Sequence, residues 1–125
     1  MKIYGAGSLE DIKLCSDLGA AGILTNPQGF QQYFEGKMPL PEITRAIVDV
    51  TELPVFIQVH GQSARVLVDT ARSLHEISPR VGFKIIADEK GFQAIAELQR
   101  QKIDCIATTL FSVSQAAVAA SVGAF

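Results

Sequence analysis

The chain has 125 residues, 48% of them hydrophobic and 19% charged, with a formal net charge of -2 at pH 7. That is enough material for one ordinary core and too little for two, so a single domain over residues 1–125 is expected. The small, interspersed charge gives no reason to expect nucleic acid or an anionic membrane surface as partner, and it favours a small-molecule ligand.

Short β-branched or aromatic runs alternate along the chain with amphipathic helical patterns, which predicts an α/β protein whose parallel sheet is built from βα units. Lys2-Ile3-Tyr4 opens the first unit, and its helix starts at Ser8 with Asp11 as capping-box partner and ends at Gly19. Leu9, Ile12 and Cys15 form the inward stripe of that helix. Ala21-Gly22-Ile23-Leu24 is the second strand. The irregular stretch from Gln28 to Leu40, with Phe30, Tyr33 and Phe34, reads either as a packed loop or as a short extra helix. The second helical pattern begins near Pro41 and turns Ile43, Ala46, Ile47 and Val50 to one side.

Val55-Phe56-Ile57-Gln58-Val59 is the third strand, followed by a helix with Ala64, Leu67, Val68, Ala71 and Leu74 at helical spacing. The fourth strand is Val81 to Ala87, and Asp88 is placed to cap the helix bearing Phe92, Ile95 and Leu98. Ile103 to Ala107 is the fifth, with an Ala-rich helix from Val113 to Ser121. Cys15 and Cys105 lack metal-ligand spacing and read as reduced core thiols. No hydrophobic run approaches membrane-spanning length, and Met1 leads directly into a strand pattern, so a cytoplasmic protein is expected.

Lys84 is the anomaly of this pattern, because an apolar strand should hold no charge. Its ammonium must be paired, neutral or chemically employed, or else snorkel to water from an edge strand. A neutral amine attacks ketones to give a Schiff base. Period-two alternation puts Lys84 on the side of Gly82 and Ile86, with Gly82 leaving room beside the amine, and puts Gln58 on the side of Phe56 and His60. Polar residues gather at the carboxyl ends of successive strands: Thr25 and Asn26, then Gln58, Lys84, and Thr108 with Thr109. His60 reads either as an acid or base lining the site or as a polar cap of the following helix, and His75 as a solvated helix residue. Gly5-Ala6-Gly7-Ser8 begins like a dinucleotide fingerprint, but Glu10 stands where the third glycine belongs, and Thr25-Asn26 replaces the acidic ribose ligand. No Walker loop, zinc site, or serine or cysteine triad is present.

These motifs, in this order, resemble the transaldolase family and especially its small fructose-6-phosphate aldolase group. Leu24-Thr25-Asn26-Pro27 is similar to the family's second-strand Thr-Thr-Asn-Pro, and Phe83-Lys84-Ile85 with Glu89 to Ile95 is similar to its lysine strand and the helix beyond. Thr108 through Gln115 resembles its fifth-strand threonine followed by Gln-Ala. The resemblance implies a TIM-type barrel of which about five of eight units are present, with Lys84 as Schiff-base lysine, Gln58 and Thr108 as catalytic residues, and Asn26, Thr25 and Thr109 as substrate-binding residues. It also implies a ketose or sugar-phosphate substrate and needs no metal or diffusible cofactor.

Two positions depart from the family pattern. Ala6 stands where the family has an aspartate after the first strand, and Ile86 where it has a proline. The resemblance further places the family's sixth-strand tyrosine and its phosphate-gripping serine and arginine beyond Phe125. A partial barrel with two unpaired edges is expected to complete itself as a homo-oligomer. The alternatives are a non-catalytic paralogue acting as an assembly component, and a small-molecule binding domain with an open sheet of changed strand order.

Overall fold

The computed structural model describes residues 2–26 and 38–124. Among them five strands and five helices alternate: β1 (Tyr4–Gly5), α1 (Leu9–Asp17), β2 (Gly22–Leu24), α2 (Leu40–Val50), β3 (Val55–Gln58), α3 (Ala64–His75), β4 (Val81–Ile86), α4 (Glu89–Arg100), β5 (Cys105–Thr108) and α5 (Val113–Ser121). Most of the reading of residues 28–40 as loop or extra helix lies outside the described residues. No helix among those described is long and apolar enough to cross a membrane.

The helix starts follow the local chemistry of the sequence. Ser8 Oγ accepts from the Asp11 amide at 3.2 Å, while the Asp11 carboxylate accepts from the Ser8 amide at 2.8 Å, completing the capping box. The Ser8 hydroxyl, which donates to the Asp11 carboxylate at 2.7 Å, and then the Ser8 amide hold that carboxyl below its ordinary value. Pro41 lies in the first turn of α2, and the Asp88 carboxylate accepts from the Gly91 amide at 2.8 Å. Two strands begin later than their apolar runs suggest. Ile103 donates its amide to Leu98 O at 3.0 Å in the closing turn of α4, where Lys102 has φ 60°, so the fifth ladder starts only beyond it. In the first strand, pairing begins at Tyr4 opposite Gly22.

All strands are parallel and stand in the order β1-β2-β3-β4-β5. A doubly wound sheet needs a reversal in that order, so the open-sheet alternative is excluded. Sequential order with right-handed crossovers keeps the helices on one face of the sheet, as in part of a (β/α) barrel. Under the helices lie Ile23, Val55, Ile57, Val81, Phe83, Ile85 and Cys105, packed against Ile12, Ile47, Leu74, Ile95 and Leu98. The opposite face carries Leu24, Phe56, Gln58, Gly82, Lys84, Ile86, Ile106 and Thr108, and its upper rows are open.

The lower rows of that inner face are plugged by aromatic rings. Tyr4 and Phe56 meet edge to face with centroids 6.2 Å apart. A Cβ at Gly82 would lie 2.9 Å from the Phe56 ring and 2.7 Å from Asp104 O. The space that glycine frees is therefore filled by Phe56 and does not lie open beside the Lys84 amine, contrary to the expectation from alternation alone.

Arg80, to which no motif drew attention, ties α2 to the strand after it. Its guanidinium donates to Val48 O at 3.1 Å, to Thr51 O and to Leu53 O at 3.4 Å, and pairs with Glu52 at 3.7 Å. It thereby satisfies carbonyls that the end of α2 leaves without intrahelical partners. His75 is likewise not simply solvated, because its Nδ1 donates to Val81 O at 2.7 Å and its ring is half-buried. Replacing Arg80 by Met should lower the unfolding free energy by roughly 1.5–3 kcal/mol, the range for hydrogen bonds to a charged group, as read by urea denaturation.

Candidate active site

Parallel pairing puts Gln58 directly opposite Lys84, and Lys84 directly opposite Ile106. The Val59 amide donates to Lys84 O at 3.2 Å, which extends the ladder one residue past β3. One row higher, toward the carboxyl ends, Ile86 stands opposite Thr108. The amide, the amine and the hydroxyl thus project from three adjacent strands onto one face, in the arrangement expected from the sequence.

Lys84 is half-buried, and among the described residues its amine has no hydrogen bond or ion pair. β4 is central, so the edge-strand explanation of this lysine is excluded. The charge is tolerated because the side chain leaves the sheet on the open face, while its neighbours Phe83 and Ile85 fill the helix side. Two acids near the carboxyl ends of the strands are already engaged. Asp11 closes the α1 capping box, and Asp88 caps α4 and lies 3.9 Å from Lys90.

Thr25 and Asn26 divide their tasks. Thr25 is buried; its hydroxyl donates to Phe56 O at 3.3 Å and accepts from the Gln58 amide at 3.1 Å. It therefore bridges β2 to β3 and sets the backbone that carries Gln58. Asn26, one residue on, is exposed beyond the end of β2, and alternation places it on the side of Leu24.

Beyond β5 the chain turns sharply at Thr109, whose φ is +63°, a conformation β-branched residues rarely adopt. The Gln115 side chain holds this loop down. Its Oε1 accepts from the Phe111 amide at 2.8 Å, and its Nε2 donates to Ala87 O at 3.0 Å at the end of β4. Thr108 and the Lys84 strand are thereby tied together at the rim. Gln115 belongs to the Gln-Ala signature, and only the fold reveals what its amide does.

Ala6 is exposed after β1, and Ile86 is 37% exposed at the rim above Lys84. Cys105 lies on the helix side, away from the amine. Burial first, and the neighbouring Asp104 carboxylate second, push its thiol up to about 12, which leaves it unreactive at neutral pH. Among the described residues no three His, Cys, Asp or Glu side chains gather into a metal site.

A run of parallel βα units in sequential order, carrying a lysine on the inner face of its fourth strand, is part of a (β/α)-barrel arrangement. The profile of the Transaldolase/Fructose-6-phosphate aldolase family matches residues 6–125, and the chain belongs to that family. "Probable transaldolase 2" of Listeria monocytogenes is 36% identical over 99% of this chain and 56% of its own length. "Probable transaldolase" of Thermoplasma volcanium is 30% identical over the same shares. The chain spans about half the length of these curated relatives. Among solved structures, a candidate phosphonomutase from Burkholderia cenocepacia J2315 superposes with a TM-score of 0.73 over 98% of this chain and 65% of its own. At 16% identity that likeness concerns the fold alone.

If the Thr25 hydroxyl serves the sheet, Thr25→Val should cost about 1–3 kcal/mol in denaturant unfolding, because the Gln58 amide loses its acceptor. A stability unchanged within error would refute that role.

Proposed function

We propose that this chain carries a Schiff-base site of class I aldolase or transaldolase type, with Lys84 as nucleophile toward a small ketose or sugar phosphate. The observation that carries this reading is the row Gln58, Lys84, Ile106 on the open face with Thr108 at the rim above. Family membership supports the same chemistry.

The amine of Lys84 adds to a ketone carbonyl, and the resulting carbinolamine loses water to give an iminium. A base takes the proton of the hydroxyl on the carbon β to the iminium, and that hydroxyl becomes the carbonyl of a departing aldehyde. The α–β carbon-carbon bond breaks with its electron pair moving into the iminium, which leaves a three-carbon enamine on the lysine. Protonation and hydrolysis complete aldol cleavage, and addition to an acceptor aldehyde completes transfer. Gln58 lies across from the amine to orient the water that leaves and returns, and Thr108 offers a hydroxyl from the next strand. Asn26 and Thr109 border the site as substrate contacts, while Thr25 acts through the Gln58 backbone. The step needs no metal or diffusible cofactor, and the reaction belongs to cytoplasmic sugar-phosphate metabolism.

We further propose that the working unit is a homo-oligomer. Ile3, Leu14 and Leu18 are exposed beside β1, and Leu110, Phe111 and Val113 beside β5, so apolar surface accumulates at both edges of the sheet. Light scattering should report an assembly of two or more chains; a compact, stable monomer would remove this proposal.

Incubation with dihydroxyacetone or fructose 6-phosphate and borohydride should give a mass adduct on Lys84, abolished by Lys84→Met. A folded protein that forms no adduct would sink the catalytic reading. Ala6, which supplies no carboxylate, favours a non-catalytic assembly component as the second reading. That reading expects no product release.

A further inference from the structure

We infer that His60 is the proton-transfer residue of the imine chemistry at Lys84; this rests on the Schiff-base reading. α3 begins at Ala64 and its cap is Ser63, whose Oγ accepts from the Val66 amide at 3.3 Å. The helix-capping explanation of His60 therefore fails. Among the described residues its imidazole has no hydrogen bond or ion pair, and the residue is exposed immediately after β3.

His60 stands two residues beyond Gln58, the residue paired with Lys84, and alternation carries it to the same side of the strand. Strand spacing and rise put diagonal positions of this kind about 8 Å apart at Cα, within reach of two long side chains that converge. At the carboxyl ends of β3 and β4, His60 also borders a crevice of about 110 Å³ on the helix side, with Leu67, Ile85, Asp88 and Lys90, while its strand position and not this crevice relates it to Lys84. Asp88 and Lys90 are the other ionisable groups there, and they are occupied with the α4 cap and with each other. Ala6 and Ile86 provide no proton carrier, which leaves His60 as the uncommitted imidazole beside the Lys84 row.

In the forward direction the imidazolium gives its proton to the carbinolamine hydroxyl, which departs as water. The neutral imidazole then takes a proton from the carbon next to the iminium, and the C–H electron pair forms the enamine. Reprotonation and hydration reverse both steps, so protons and electrons balance without a further reagent.

The test uses the full chain with dihydroxyacetone in deuterium oxide, following loss of carbon-bound hydrogen by NMR and trapping the imine with borohydride. Trapping at Lys84 is expected in wild type and, more slowly, in His60→Gln and His60→Ala, since the nucleophile is intact but the proton donor for dehydration is lost. Exchange is expected to fall about a hundredfold or more in both variants, the usual share of a general acid–base group. Added imidazole should restore exchange to His60→Ala and not to Lys84→Met. Exchange at the wild-type rate in both variants, or no rescue by imidazole, overturns the inference while leaving Lys84 as nucleophile. An adduct without exchange in wild type also overturns it. Absence of any adduct in the folded wild type overturns this inference and the Schiff-base reading together.

Discussion

The registration of β4 between β3 and β5 is the constraint on which the site depends. β4 is an interior strand with a neighbour on each side, and its helix-facing residues Val81, Phe83 and Ile85 are almost wholly buried. A slip of one residue would exchange the two faces, driving Lys84 beneath α3 and α4 and lifting Phe83 onto the open side. Burying an unpaired ammonium costs several kcal/mol, and exposing a phenyl ring adds to it. The large side chains that build the core thus also aim the amine. Pairing then determines its neighbours, Gln58 on one side and Ile106 on the other.

Three polar clamps hold the elements around that row, each acting where backbone groups would otherwise lack partners. Arg80 gathers carbonyls between the end of α2 and the start of β3, at the amino ends of the strands. Thr25 ties β2 to the backbone of Phe56 and Gln58, just below the rim. Gln115 fastens the loop after β5 to the last carbonyl region of β4. The amine, amide and hydroxyl therefore project from cross-linked strands, while the loops above them carry the more variable exposed groups.

Features that are local in sequence were legible from it. Ser8 with Asp11, Pro41, Asp88 and the 113–121 helix each depend on residues within a few positions, and the alternation in 55–59 and 81–87 depends on side-chain type alone. The Lys84 face and its polar neighbours followed from that alternation. What escaped was set by contacts between segments. Arg80 reaches back to residues 48–53, His75 meets Val81 across a turn, and the room beside Gly82 is taken by a ring from the neighbouring strand. Thr25 carried the right signal, a polar residue at a strand end, but only the placement of β3 reveals that its hydroxyl is spent on the sheet.

The same alternation ties the proposed chemistry to the proposed assembly. In a lone set of five βα units the upper inner face meets water, so a carbinolamine on Lys84 would form among mobile solvent molecules, with little to hold the substrate's far end. Excluding that water strengthens every hydrogen bond at the site and protects the enamine from premature protonation. The chain carries surfaces suited to providing the cover: the apolar side chains at the β1 and β5 edges flank the open face, whereas the polar row of Gln58, Lys84 and Thr108 lies within it. Apolar contact at the edges would close the structure and leave the reactive groups facing the enclosed space. On that proposal, association and chemistry depend on opposite residue types along one sheet, apolar at its edges and polar within its open face.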